Sequence, residues 1–185
     1  DAHAVYTTIP SGCGGAPLLL SFLFFPSAQR GKLPSYDANR RWVEMFGYTC
    51  NLQTDTEVIT YIFDYLIRKQ GLTLQEAASV VAAPFWDTIH RMPEKEQERL
   101  TYLRDVFSSL LITGPFSILL GFEGGLMALN DRLKLRSMVV AEKGDTFYVA
   151  SEESAIRIIE PGVDRLWAPK GGEPVIVRLS NSTSV

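Results

Sequence analysis

The sequence predicts an α+β fold in which helices pack on an antiparallel sheet. Apolar residues recur at helical spacing through much of the stretch 36–111, and two β-hairpin patterns follow residue 112. Hairpins join antiparallel strands, so the strands of the second half belong to an antiparallel sheet. A length of 185 residues fits one domain, which we assign to 1–185.

Four helices are predicted from their start and stop signals. Ser35 is a candidate N-cap for the first helix, and Gly47 ends it. Thr54 opens the second helix and Thr73 the third, each with a glutamate three residues later, and Pro93 suits the first turn of the fourth. The predicted ranges are 36–46, 54–71, 73–81 and 92–111, and Pro84 stops the third helix. The apolar residues of the first helix that we expect in the core are Trp42, Val43, Met45 and Phe46.

Strands are predicted from apolar runs and turn signals. An apolar run over 18–25 is expected to be a buried strand, since it is far too short to span a bilayer. The first hairpin joins 116–122 to 126–129, and the second joins 138–141 to 146–150. Ser151 is expected to cap a short helix to Ile158, and a late strand covers 175–177. Residues 180–185 are expected to form a frayed, flexible tail.

Composition excludes several function classes. The net charge of −3 offers no basic surface for nucleic acid. Two cysteines without paired spacing predict neither a disulfide framework nor a zinc site, and they fit a reducing cytoplasm. Cys50 is expected to be an ordinary half-buried thiol. With two histidines in the sequence, His90 is interpreted as a lone surface residue rather than a metal ligand.

The segment 53–59, Gln-Thr-Asp-Thr-Glu-Val-Ile, has two interpretations. As structure, Thr54 and Glu57 form a capping box at the start of a helix. As chemistry, Asp55 lies at a helix N-terminus, where backbone donors would orient its carboxylate toward a substrate ammonium group. Because capping boxes are common, the segment alone favours the structural interpretation, and the motifs around it bring in the chemical one.

Other motifs occur around this segment in a fixed order. Upstream lies Ser-Tyr-Asp-Ala-Asn-Arg-Arg at 35–41, followed by Phe-Gly-Tyr at 46–48. Downstream come Gly-Pro-Phe-Ser-Ile at 114–118, Ala-Leu-Asn-Asp-Arg at 128–132, Leu-Arg at 135–136 and Ala-Ser-Glu-Glu at 150–153. In order and rough spacing, the series from about Gly31 to Arg178 resembles the class II glutamine amidotransferase domain, especially the glutamate-synthase type.

The resemblance implies a fold and a chemistry. The fold is the four-layer αββα sandwich of N-terminal nucleophile hydrolases. The activity is hydrolysis of the glutamine side-chain amide, with delivery of ammonia to a synthase domain or subunit and no cofactor or metal. Asp55 corresponds to the residue that binds the substrate α-amino group, and Thr54 belongs to the same motif. Gly31 falls at the oxyanion glycine, Arg30 replaces the family asparagine beside it, and Thr8 stands where a carboxylate-binding arginine is expected.

The family nucleophile is a chain-initial cysteine, and this sequence begins with Asp1. Cys13 lies in a Cys-Gly context but too close to Arg30 for the family spacing. The segment 1–34 is therefore interpreted as divergent, and the chain as the latter part of an amidotransferase domain. Two functions stay open: a glutaminase that supplies ammonia to a synthase partner, or a catalytically inactive remnant or partner-binding subunit of the same family.

Two further groups have competing interpretations. Asp131, Arg132 and Arg136 could line a ligand or synthase contact, but ion pairing near a turn is the favoured expectation. Gly171 and Gly172 after Lys170 suggest a phosphate loop only superficially, and a tight turn is expected instead. The charged first half of the fourth helix is interpreted as a solvated face.

Overall fold

The computed structural model describes residues 4–5, 22–24, 33–52, 54–122 and 125–178, and of 4–5 and 22–24 it describes the backbone. The α-helices are α1 (Tyr36–Met45), α2 (Asp55–Asp64), α3 (Leu74–Val81), α4 (Trp86–Ile89), α5 (Glu94–Val106) and α6 (Glu153–Ile159). A π-helical stretch, Tyr65–Lys69, continues α2, and a 3-10 turn, Ser108–Leu110, follows α5. The strands are β1 (Ala4–Val5), β2 (Phe22–Phe24), β3 (Ser117–Phe122), β4 (Gly125–Asn130), β5 (Val139–Lys143), β6 (Thr146–Ala150), β7 (Arg165–Trp167) and β8 (Val175–Arg178).

The strands form two antiparallel sheets. The first has the order β1-β2-β3-β4-β8, and the second has the order β6-β5-β7. The two hairpins predicted from sequence are β3–β4 and β5–β6, paired from Phe122 with Gly125 and from Lys143 with Thr146. The α+β class with antiparallel sheets is thus confirmed.

The first sheet has a different neighbour on each face. Ile118 and Leu120 of β3 share one buried cluster with Ile62 and Phe63 of α2, so this face packs against the helices. Leu119 lies on the opposite face, because side chains alternate along a strand. There it joins a cluster that includes Ala128, Met138, Val149 and Val175 and that spans both sheets. The described part therefore stacks helices on the first sheet and the first sheet on the second.

The C-terminal end of α2 is fixed by a buried carboxylate. Arg68 donates two hydrogen bonds to Asp64, from Nε to Oδ1 and from Nη2 to Oδ2, each 2.8 Å long. The Tyr48 hydroxyl donates a third bond of 2.6 Å to Oδ2. Burial alone would raise the pKa of Asp64, but the hydrogen bonds from Arg68 and Tyr48 outweigh it and leave that pKa below its ordinary value.

Several sequence predictions about α1 need correction. Met45 was expected in the core, yet 78% of its surface is exposed, and Phe46 is exposed as well. The buried stripe of α1 is Tyr36, Asn39 and Val43, and Met45 lies off that stripe. Ser35 does occupy the N-cap position, but its hydroxyl accepts a hydrogen bond from the backbone of Thr113 instead of capping the helix.

Element boundaries were also misplaced in three places. A single helix was predicted over 92–111, but α5 starts after Pro93, which occupies the N-cap. The helix ends at Val106, because the chain turns at Phe107 into the 3-10 segment. Helix α6 has Glu152 as its N-cap rather than Ser151. The sequence analysis missed α4 and β7, which have four and three residues and are too short for a periodic pattern.

Other predictions hold or lie outside the described residues. Thr73 and Glu76 make both hydrogen bonds of a capping box at α3. Residues 171–172 form a turn, and the late strand is β8. Of the apolar run over 18–25, the structure describes the backbone of β2, which pairs with β3. The tail 180–185 lies outside the described residues. Among the described helices, none is long and apolar enough to cross a membrane.

Candidate functional site

The candidate site lies at the N-terminus of α2. Thr54 is the N-cap, with an extended backbone (φ −112°, ψ 149°), and its hydroxyl accepts a 3.3 Å hydrogen bond from the Glu57 amide. This bond satisfies one of the amides that have no partner within the helix. Asp55 is the first helical residue, so its carboxylate lies at the positive end of the helix dipole.

Glu57 organises the loop that leads into this helix. Its side chain is 2% exposed, and its two carboxylate oxygens each accept a 2.8 Å hydrogen bond, Oε1 from the Asn51 amide and Oε2 from the Leu52 amide. The capping box predicted for Thr54 and Glu57 is therefore incomplete. The threonine caps the helix as expected, while the glutamate reaches past the N-cap to hold residues 51 and 52.

Asp55 connects α2 to a distant part of the chain. Its Oδ2 accepts a 3.2 Å hydrogen bond from the Leu33 amide. Leu33 lies two residues after Gly31, the predicted oxyanion glycine. The carboxylate predicted to bind an ammonium group is thus joined directly to the segment that follows the predicted oxyanion pair. Asp55 itself is partly exposed.

A close backbone contact supports the segment after Leu33. Gly114 has a φ of +110°, which L side chains rarely adopt, and a Cβ at this position would lie 2.8 Å from Cδ of Pro34 and 3.3 Å from Cδ2 of Leu33. The Thr113 amide donates a 3.0 Å hydrogen bond to the hydroxyl of Ser35. The Gly-Pro-Phe-Ser motif therefore packs its first residue against the chain that Asp55 binds, and β3 begins three residues later.

Two buried titratable groups lie close to these carboxylates. Burial raises the pKa of Tyr36, and the charges of Asp55 and Glu57 raise it further. Burial also raises the pKa of Cys50 to about 11, with a smaller contribution from Glu57. The Cys50 thiol is 6% exposed, so it is buried rather than half-buried as predicted. A buried thiol with a raised pKa is a poor nucleophile at neutral pH.

The Asp131 turn does not form the ion pair that we expected. The carboxylate of Asp131 is buried and accepts hydrogen bonds of 3.0–3.1 Å from the amides of Leu133, Leu135 and Arg136. Its role is to hold a turn, because backbone donors take the place of a guanidinium. Arg132 points elsewhere and stacks over the ring of Phe85.

The remaining predicted site residues lie outside the described residues. These residues are Thr8, Arg30 and Gly31, together with Asp1 and Cys13. Within the described ranges, no group of three or more His, Cys, Asp or Glu side chains could hold a metal ion. His90 is exposed, and its ring stacks on Trp86 at 6.3 Å between ring centres.

Sequence reasoning found Thr54 and Asp55 but missed two contacts of the site. Glu57 was assigned to the cap because three-residue spacing is the usual signal, and no pattern marks a bond to residues 51 and 52. The Leu33 amide carries no side-chain signal at all. The nearest indication was that Leu33 follows Gly31 closely along the chain.

Comparison with known proteins shows the fold of this chain but not the chemistry of the candidate site. No protein-family model matches the chain. An uncharacterized protein of Archaeoglobus fulgidus is 43% identical over 180 residues, which cover 97% of this chain and 48% of the relative. The chain thus spans about half the length of that curated relative.

Two solved structures share the fold. A glutamine phosphoribosylpyrophosphate amidotransferase from B. subtilis, complexed with ADP and GMP, matches with a TM-score of 0.54 and 17% identity, over 89% of this chain and 28% of that chain. The structure of an allosteric regulatory enzyme of purine biosynthesis matches with a TM-score of 0.52 and 18% identity, over 86% and 26%. At such identities the likeness shows the fold alone. In coarse terms, the chain has an α+β fold with antiparallel sheets like that of these two structures.

Proposed function

We propose that this chain is part of a type-2 glutamine amidotransferase domain of the glutamate-synthase type, with the four-layer sandwich of that family. The observation that carries the proposal is the position of Asp55. Its carboxylate lies at the N-terminus of α2 and binds the backbone two residues after the predicted oxyanion glycine. Asp55, for the α-amino group of glutamine, and the Gly31 amide, for its side-chain amide, would then be linked through the hydrogen bond between Asp55 and Leu33.

In this proposal Asp55 binds the ammonium group of glutamine. A carboxylate forms short, charge-assisted hydrogen bonds with an ammonium group, and such bonds are about twice as strong as neutral ones. The Leu33 amide orients the side chain, and the helix dipole favours a negative charge at this position. Thr54 fixes the start of the helix, so the position of Asp55 does not depend on the ligand.

The other end of the substrate would meet the predicted oxyanion segment. When a nucleophile attacks the side-chain amide carbon, the carbonyl oxygen becomes an oxyanion, and the tetrahedral intermediate then expels ammonia. The Gly31 amide would donate to that oxyanion, and Arg30 would donate in place of the family asparagine. Loss of one such donor costs about 100- to 1000-fold in rate, so the pose of Arg30 would set the activity. Thr8 would contact the substrate carboxylate.

The partner of this reaction would be a synthase domain or subunit that consumes ammonia, in the cytoplasm. Ammonia released into water is protonated at neutral pH and loses its nucleophilic electron pair, so the donor and acceptor sites must communicate. The resemblance to the glutamate-synthase type implies such a partner, and we include it in this proposal.

A second candidate is a non-catalytic subunit of the same family that binds a synthase partner. The observation that favours it is the state of Cys50, which is buried with a pKa raised to about 11 and is therefore a poor nucleophile at neutral pH. Thr8 and Arg30, at positions where the family has an arginine and an asparagine, favour it as well.

Ammonia release from glutamine by the purified chain separates the two candidates. Cys13→Ser and Cys50→Ser variants are the matched controls for the two thiols. Release abolished by Cys13→Ser alone supports the glutaminase with an unorthodox nucleophile. No release from any of the three proteins, together with measurable glutamine binding, supports the non-catalytic subunit. Release abolished by Cys50→Ser would contradict both candidates, because each of them treats Cys50 as a buried thiol that is not the nucleophile.

A further inference from the structure

Two arginines lie over two consecutive aromatic rings on the surface. The Arg104 guanidinium is 4.0 Å from the ring centre of Trp86, and that of Arg132 is 4.6 Å from the ring centre of Phe85. Both rings are 42% exposed. We call these four residues, Phe85, Trp86, Arg104 and Arg132, the arginine–aromatic patch.

The patch is held in place by the backbone around it. Arg104 donates a hydrogen bond from Nη1 to the carbonyl of Pro84, the residue before the two rings. The turn at Gly171 packs directly on Arg132, because a Cβ on Gly171 would lie 2.4 Å from the Arg132 carbonyl oxygen. A Cβ on Gly172 would lie 2.8 Å from the carbonyl oxygen of Ala82, at the end of α3. These contacts join four separate segments of the chain around the patch.

The two guanidinium groups have no carboxylate partner among the described residues. The ion pairs there involve five different basic residues, Arg40, Arg68, Arg99, Lys143 and Arg157. Burial lowers the pKa of Arg104, and the charge of Arg132 lowers it further, while Asp105 acts in the opposite direction without forming an ion pair. Two like charges held close together repel each other, and an anionic partner would relieve this repulsion.

The geometry also favours one kind of anion. Stacking on a ring uses the face of a guanidinium and leaves its edge, where the N–H donors lie, available for a carboxylate. The ring faces under the guanidinium groups are covered, which blocks base stacking there and so disfavours a nucleic acid. Exposed tryptophan and arginine are typical of protein–protein hot spots.

We propose that the arginine–aromatic patch is a docking site for a polypeptide segment that presents at least two carboxylates to Arg104 and Arg132. Each guanidinium would take one carboxylate through paired N–H donors, and Phe85 and Trp86 would supply the apolar contact beside them. This site is separate from Asp55 and does not depend on whether the chain binds glutamine.

The indole N–H signals of the three tryptophans in a ¹⁵N NMR spectrum provide the test. Trp86 is assigned by the loss of its signal in Trp86→Phe, and the probe is a capped hexaglutamate peptide, with capped hexaglutamine as its uncharged match. Trp167 is an internal control, because one arginine, Arg165, stacks over it at 4.4 Å. We expect a saturable shift at Trp86 with hexaglutamate that weakens as salt is added.

An Arg104→Gln/Arg132→Gln variant should weaken the binding at least tenfold. Arg40→Gln/Arg157→Gln removes the same charge from arginines that already have glutamate partners and should change it less than twofold. If the first double variant does not fold, the two single variants replace it, each expected to weaken binding at least threefold. Equal shifts at Trp86 and Trp167, equal binding by both double variants, or tighter binding of a short polyphosphate than of hexaglutamate would overturn the proposal.

Discussion

Replacing Glu57 by glutamine tests whether the loop before α2 is held by a buried carboxylate. Each oxygen of Glu57 accepts one backbone hydrogen bond of 2.8 Å, and the side chain is almost fully buried. Glutamine has nearly the same size and keeps one acceptor oxygen. Its other terminal group is an NH₂ donor, which would face the N–H of Asn51 or Leu52 and cannot accept from it.

The magnitude follows from the bonds that are lost. One charge-assisted hydrogen bond disappears, and such bonds contribute about 1.5–3 kcal/mol. The side chains of Asn51 and Leu52 are exposed, so water reaches part of this loop and keeps the loss in the lower half of that range. We therefore expect Glu57→Gln to lower the free energy of unfolding by about 2 kcal/mol.

Urea unfolding followed by circular dichroism measures this change. The matched control is Glu44→Gln, which removes the same charge from an exposed glutamate that pairs with Arg40 across one helical turn at 2.9 Å. Exposed pairs contribute about 0.3–0.5 kcal/mol, so the control should change stability by less than about 0.5 kcal/mol. A Glu57→Gln effect no larger than that of Glu44→Gln would refute the role assigned to Glu57.

Three further predictions concern other parts of the molecule. The pKa of Asp64 is lowered in the folded state, so its bonds to Arg68 stabilise the fold fully above the ordinary pKa of 3.8 and less as the pH falls through the folded pKa. The difference in unfolding free energy between wild type and Asp64→Asn should therefore shrink below pH 3.8. A difference that stays constant with pH would contradict this prediction. Cys50, with a pKa raised to about 11, should react with a thiol reagent at pH 7.5 far more slowly in the folded chain than in urea, and equal rates would show an accessible thiolate. Gly171→Ala should cost about 1–3 kcal/mol by overpacking against the Arg132 carbonyl, whereas Gly162→Ala, whose Cβ would meet ordinary contacts, should be nearly neutral in the same urea titration.

The sequence predicts most elements where local chemistry decides them. The hairpin turn at 142–145 contains Gly144, which has a φ of +54°, and the strands on either side follow from it. Thr54 and Thr73 start their helices because a threonine hydroxyl in the N-cap accepts a backbone hydrogen bond in both cases. In these places the residue type and the backbone geometry determine each other.

The sequence fails where contacts between distant segments decide the outcome. Met45 lies among other apolar residues of the predicted helix, yet its side chain is exposed. Which face of α1 is buried depends on where α2 packs, and Met45 lies off that face. Asp131 looks like an ion-pair residue because arginines follow it, but the turn brings three amides closer than any guanidinium. The bond from the Leu33 amide to Asp55 joins residues 22 positions apart, which no local pattern encodes.

Glutamine binding by isothermal titration calorimetry tests the central claim, that Asp55 holds the α-amino group of a glutamine substrate. Asp55→Asn keeps an oxygen that can accept from the Leu33 amide, so the fold should survive while the charge is lost. Asp37→Asn, at an exposed position in the first turn of α1, is the matched control. We predict that wild type and Asp37→Asn bind glutamine alike and that Asp55→Asn binds it at least about tenfold more weakly. Equal affinities in all three folded proteins would contradict the claim and leave Asp55 as a structural link between α2 and Leu33.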